Sequence, residues 1–155
     1  MRKLIQKLLL CLMVFTFVFS GFGVVASAAS VYYKPGKVVN TSSGVNIHKN
    51  NFPSQATVIT YTMSVNGNAI GTWDISKKTG WFSSYAQSTT NMVAPANLVK
   101  TSNNTVTVKA CYRNGFDYKT YSCKSATKTG LTGKQVDNKT FKLNVDKSGK
   151  ATLKY

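Results

Sequence analysis

Glutamate is absent from this 155-residue chain, and aspartate occurs four times against 20 Lys+Arg. General acid–base catalysis draws on histidine or paired carboxylates, and a glycosidase needs two carboxylates across a cleft. Asp74, Asp117, Asp137 and Asp146 are scattered, and His48 is the only histidine, with no nucleophile-elbow motif around it. The chain therefore reads as a non-enzyme, with His48 and Asp74 the residues a hydrolase would have to use. One histidine and few cysteines leave no zinc-type ligand set, and no Gly-rich phosphate loop occurs, so no metal or cofactor is expected. Beyond residue 28 no apolar run is long enough to span a bilayer. In the same region Arg113 is the only arginine, and no helix-turn-helix, zinc-finger or RNP-type segment appears, which argues against sequence-specific nucleic-acid recognition.

The N-terminus has the organisation of an export signal. Arg2, Lys3 and Lys7 open it, Leu8 to Phe19 is apolar, and Val24-Val25-Ala26-Ser27-Ala28 ends at A-x-A spacing. This pattern predicts a secretory signal peptide over residues 1–28, cut after Ala28, with an uncleaved membrane anchor as the alternative. Three basic residues leave with it, so residues 29–155 carry a net charge of +13. Cys11 leaves too. The remaining pair, Cys111 and Cys123, in an exported chain predicts one disulfide rather than a metal or redox pair.

The exported part reads as strands. Thr, Asn and Val are plentiful, Leu is sparse, and no segment keeps an i, i+3, i+4 apolar pattern for three turns. Alternation places Ile59, Tyr61, Met63 and Val65 on one face and Thr60, Thr62 and Ser64 on the other. Asn66-Gly67 then predicts a type I′ hairpin into the extended stretch Ile70–Ile75. Val106, Val108, Ala110 and Tyr112 share a face opposite Thr105, Thr107, Lys109 and Cys111. Phe141, Leu143 and Val145 pair with Ala151, Leu153 and Tyr155 around Asp146-Lys147-Ser148-Gly149. A weaker strand lies near Gly44–His48, and residues 130–138 read as a loop.

About seven short strands predict an all-β fold, a small antiparallel β-sandwich with one disulfide-stapled hairpin. It resembles immunoglobulin-like and fibronectin-like secreted modules in architecture, a resemblance that implies no function. The Cys…Trp…Cys order of immunoglobulin domains is missing, since both cysteines follow both tryptophans. The domain is expected over residues 41–155, preceded by a loose arm at 29–40.

Two surfaces are candidates for binding. In Ala110–Lys124 the cysteines are equidistant from Asp117, so they face each other across a hairpin. In that register Tyr121 lies opposite Arg113. Tyr112, Phe116, Tyr118 and Tyr121 stand beside Arg113, Lys119 and Lys124 at this tip, a mixture suited to anionic polymers, sugar rings or a membrane interface. Otherwise the aromatics fold back onto the sheet. Nine of the lysines lie in residues 119–155, and Lys109, Lys142, Lys150 and Lys154 fall opposite apolar positions, which predicts one basic face. Trp73, Trp81, Phe82 and Tyr85 either line a cleft or serve as core and loop anchors. Asn40, Asn103 and Asn138 head N-x-S/T triplets, relevant only in a host that glycosylates.

The expected partner is an anionic cell-wall polymer or membrane surface outside the cell, in competition, antimicrobial or matrix roles. The alternative is a protein-interaction module, an inhibitor or adhesion domain, that uses the stapled hairpin.

Overall fold

The computed structural model describes residues 31–34, 37–77 and 84–155. Residues 1–28, read as the signal peptide, and Trp81 and Phe82 lie outside this set. Among the described residues eight strands form two four-stranded sheets. The first has the order β4 (Tyr85–Pro95), β1 (Val38–His48), β7 (Thr140–Val145) and β8 (Ala151–Lys154). The second has the order β3 (Asn68–Ser76), β2 (Val58–Val65), β5 (Asn104–Arg113) and β6 (Thr120–Leu131). The all-β sandwich expected from the alternation is the fold found. Its pairings are antiparallel except β1 with β7, which run parallel, Ser42 to Ile47 beside Thr140 to Val145.

Alternation decides which side chains enter the core. Ile59, Tyr61, Met63 and Val65 from β2 are fully buried, as are Val106, Val108, Ala110 and Tyr112 from β5. Facing them are Val39, Val45 and Ile47 from β1 and Phe141, Leu143 and Val145 from β7, also fully buried. Asn66 at φ 50° and Gly67 at φ 83° supply the two left-handed residues a type I′ turn demands.

The pairing of β1 with β4 was the least legible part. Its inward positions include Thr41 and Ser43 on β1 and Ser88 and Thr90 on β4, which interrupt the apolar alternation. Tyr61 supplies a reason on the β4 side. Its ring reaches across the core, and its hydroxyl bonds Thr90 Oγ1 at 2.9 Å and lies 3.2 Å from Ser88 Oγ. Such partners offset the cost of burying a phenol. Apolar residues at positions 88 and 90 would strand it.

Residues 130–138 contain a helical turn, α1 (Gly133–Val136), where a loop was expected. Thr132-Gly133-Lys134-Gln135 forms a capping box: Thr132 Oγ1 accepts from the Gln135 N–H and Gln135 Oε1 from the Thr132 N–H. The Tyr33 side chain lies close against Gly133, where a Cβ would come within 2.3 Å of it. Tyr32 bridges Lys100, the Tyr33 N–H donates to Val99 O, and the Lys34 ammonium pairs with the buried Asp137 carboxylate. Residues 31–34 thus lie hydrogen-bonded along the body. No helix among the described residues is long and apolar enough to cross a membrane.

Candidate functional site

The hairpin of β5 and β6 is closed by the Cys111–Cys123 disulfide, and the two cysteines are direct cross-strand partners as the symmetric spacing requires. Below the bridge Lys109 faces Ser125. Above it Tyr112 faces Ser122, and the register then slips, so Arg113 faces Thr120 rather than Tyr121. The expected Arg113–Tyr121 pair is therefore replaced by a bulge. The bulge turns Tyr121 toward the core, where it is half-buried, with the Lys119 ammonium 5.9 Å from its ring centre.

The tip, residues 114–119, is ordered by polar side chains. Asn114 Oδ1 accepts from the Phe116 N–H at 2.8 Å and Asp117 Oδ1 from the Lys119 N–H at 3.0 Å. The Asn114 N–H donates to Lys119 O, and the Gly115 N–H donates to Thr57 Oγ1 at 2.8 Å. On this frame Phe116 is 95% exposed and Tyr118, held at φ 56°, is 68% exposed. A left-handed aromatic residue is uncommon and costs about 1–2 kcal/mol, which the surrounding bonds must offset.

Tyr112 is not part of this exposed group. It is fully buried, edge-on to Phe52 at 5.6 Å, and its hydroxyl has no hydrogen-bond partner among the described residues. Burial pushes the phenol up to about 12. The alternation that put Tyr112 with Val106, Val108 and Ala110 is what governs it, not its nearness to the tip.

The lysines form an edge rather than one face. Lys109 stands exposed on the outer side of the β3-β2-β5-β6 sheet, whereas Lys142 and Lys154 stand on the outer side of the other sheet. The two groups are on opposite sides of the sandwich because the strands bearing them belong to different layers. The concentration instead follows β6 and β8, which adjoin along one margin. There the Lys124 ammonium lies 3.3 Å from Gly149 O, and the Lys128 ammonium sits 5.3 Å from the centre of the Tyr155 ring, itself stacked on Phe141. Lys142 and Lys154 are direct cross-strand partners, and like charges so placed repel. Lys147 and Lys150 occupy the β7–β8 turn. None of these six lysines has an ion-pair partner among the described residues.

Asp146 is the carboxylate within this margin, and it is occupied by the turn. Its Oδ1 accepts from the Ser148 hydroxyl and from the Ser148 and Lys150 N–H groups at 2.6, 2.9 and 3.0 Å. The Ser148 hydroxyl, with the backbone bonds and the Lys150 charge, holds its pKa below the usual carboxylate range.

The residues a hydrolase would use are not together. His48 ends β1, packs edge-on against Tyr85 at 4.9 Å and accepts the Asn50 N–H at Nδ1. Asp74 is exposed on β3, in the other sheet. Among the described residues no group of three His, Cys, Asp or Glu side chains is placed to hold a metal. Trp73, also on β3, is half-exposed at the sandwich edge. Lys142 and Lys154 of the margin share one side of the terminal hairpin, as alternation predicts; what the local pattern does not display is that Lys124 and Lys128, from β6 in the other sheet, adjoin that hairpin. The structure defines a disulfide-stapled β-sandwich with a basic margin. Comparisons with protein-family models, with curated proteins and with solved structures find no match for the chain.

Proposed function

We propose that the protein is exported and attaches electrostatically to anionic cell-envelope or extracellular material, as a competition, antimicrobial or matrix protein. The observation that carries this reading is the β6/β8 margin. There Lys124, Lys128, Lys142, Lys147, Lys150 and Lys154 lie along one margin with a single carboxylate, Asp146, at its turn end, and that carboxylate is already engaged by its own turn. Crowding like charge costs stability unless an external anion neutralises it. Lysine suits this task, since a hydrated point charge binds phosphate or carboxylate polymers without demanding one geometry. Export is supported by the charge, apolar run and A-x-A spacing of residues 1–28 and by the disulfide.

Co-sedimentation with anionic liposomes or acidic wall polymer tests the reading. Retention should be strong at low salt and collapse as salt is raised, with a shallower salt dependence in Lys124→Gln/Lys128→Gln/Lys154→Gln. Absence of binding at low salt, or binding indifferent to salt, would overturn it. Mass measurement of the secreted product should place its N-terminus at Ala29.

One observation supports a second reading, a protein-interaction module. Phe116 and Tyr118 are exposed on a frame fixed by four hydrogen bonds and a disulfide, so a partner cleft would meet aromatic anchors that need little further ordering. In that case Phe116→Ala abolishes a stoichiometric complex with a purified partner and leaves adsorption to anionic polymer unchanged.

A further inference from the structure

We infer that the outer side of the β4–β1 pair is a saccharide-binding groove, built from neutral amides and lined by none of the margin's lysines. A cleft of about 370 Å³ runs along this pair, within the size range of small-ligand sites. Asn40, Ser42, Asn91, Val93 and Asn138 form its polar and apolar walls, and no charged side chain lines it. In a domain this rich in lysine, an uncharged cleft favours an uncharged ligand.

The register explains how the walls meet. Asn40 faces Val93 and Ser42 faces Asn91 across the β1–β4 ladder, so all four point outward on consecutive rows. Asn138 joins them from the segment between α1 and β7, where it is held left-handed at φ 59° and donates its backbone N–H to Asn40 O. Ser42 Oγ donates to Asn91 Oδ1 at 2.9 Å. That bond fixes the amide and leaves the Asn91 nitrogen without a partner among the described residues. The side-chain amides of Asn40 and Asn138 likewise have no partner there.

This donor set selects for chemistry. A carboxamide offers two donors and an acceptor without charge, which matches the vicinal hydroxyls of a pyranose, each a donor and an acceptor. Val93, 48% exposed in the same wall, supplies an apolar contact for the C–H face of the ring. A phosphate or carboxylate polymer would find no cation in the cleft, and an apolar ligand would strand three amides. The groove therefore takes a neutral sugar unit of a polysaccharide. The lysine margin would hold an acidic polymer independently of it.

The test uses the full domain in affinity electrophoresis through gels containing starch, β-glucan, mannan or galactan, and in pull-down on chitin. Buffers contain ~1 M NaCl, where the Debye length is ~3 Å and lysine adsorption is screened. At least one of these polysaccharides should retain the protein, and free monosaccharide of the same type should compete. Asn40→Ala/Asn91→Ala should weaken retention at least tenfold. Asn91→Asp, which keeps the shape and loses the donors, should weaken it similarly, while Lys124→Gln/Lys128→Gln/Lys154→Gln should not. Unchanged thermal unfolding of the variants establishes that they are folded. Retention by none of the five polysaccharides, or retention indifferent to Asn40 and Asn91, overturns the inference. Salt-sensitive adsorption to acidic polymer would survive either result, so the two readings fail separately.

Discussion

The β2–β3 and β5–β6 hairpins lie in one sheet and are joined through the β2–β5 pairing, yet they are closed by different means. β2–β3 closes on Asn66-Gly67, two residues whose positive φ angles the turn requires. Asn66 also anchors the turn to the body. It donates to Leu98 O and Asn104 Oδ1 and accepts the Thr105 N–H at 2.6, 3.0 and 2.9 Å. Asn104 is fully buried and meets all its capacity, through Lys100 N–H and O, Leu131 O and Asn66. β5–β6 ends in a six-residue loop beyond a bulge, with its largest side chains in solvent. A covalent bond closes that end, with the Gly115 N–H bond to Thr57 Oγ1 tying the tip to the body. One hairpin is held by turn chemistry and a buried amide network. The other is held by restricting the unfolded chain, which leaves its tip free of packing duties.

Removing the amide network should have the largest effect. Asn104→Ala strands several buried backbone groups and should cost about 3–4 kcal/mol in chemical denaturation. A loss under ~1 kcal/mol would show that β2–β3 does not depend on this anchor. Cys111→Ser/Cys123→Ser should cost about 3 kcal/mol, from a cross-link spanning 12 residues, with early protease cleavage at the tip and little change in amide exchange in β2–β3. Gly67→Ala places a Cβ at φ 83° and should cost about 1–2 kcal/mol, without altering cleavage at the tip.

Tyr112→Phe should act in the opposite direction. It deletes a buried hydroxyl that has no partner among the described residues, and should stabilise by about 1 kcal/mol at neutral pH. It should also change the alkaline limb. With the phenol raised from 10.0 to about 12 on folding, the folded state holds its proton more tightly than the unfolded chain. This contribution is intact below pH 10 and is lost as pH rises toward 12. Tyr112→Phe should flatten that part of the stability curve. The smallest effect is expected from Phe116→Ala, within about 0.5 kcal/mol, because its ring is almost wholly in solvent already.

Legibility followed the reach of the interactions. The Asn66-Gly67 turn, the face shared by Ile59, Tyr61, Met63 and Val65, and the Cys111–Cys123 pairing depend on neighbours a few residues apart, and the chain displays them directly. The α1 turn was also written locally, in Thr132 and Gln135, but in too short a segment to stand out from the surrounding loop residues. β1 and β4 were harder, since the hydroxyls on the inner side of β4 answer to Tyr61 from the opposite sheet. Asn104 reads as part of a glycosylation triplet and is a buried structural amide. Asn40 and Asn138, nearly a hundred residues apart, head two further triplets and meet in one groove.

By itself the sequence determined the strand-rich composition, the charge, the staple and the inward faces of the cleanly alternating strands, because period-two patterning, turn chemistry and charge are properties of local residues. The tertiary structure decided which lysines stand together, that Lys109 stands apart from Lys142 and Lys154, that Tyr121 turns away from Arg113, and that three asparagines share a neutral cleft. Those outcomes depend on which strands become neighbours and on a one-residue slip in register. A bulge or a parallel pairing re-aims side chains without leaving a mark in the local pattern.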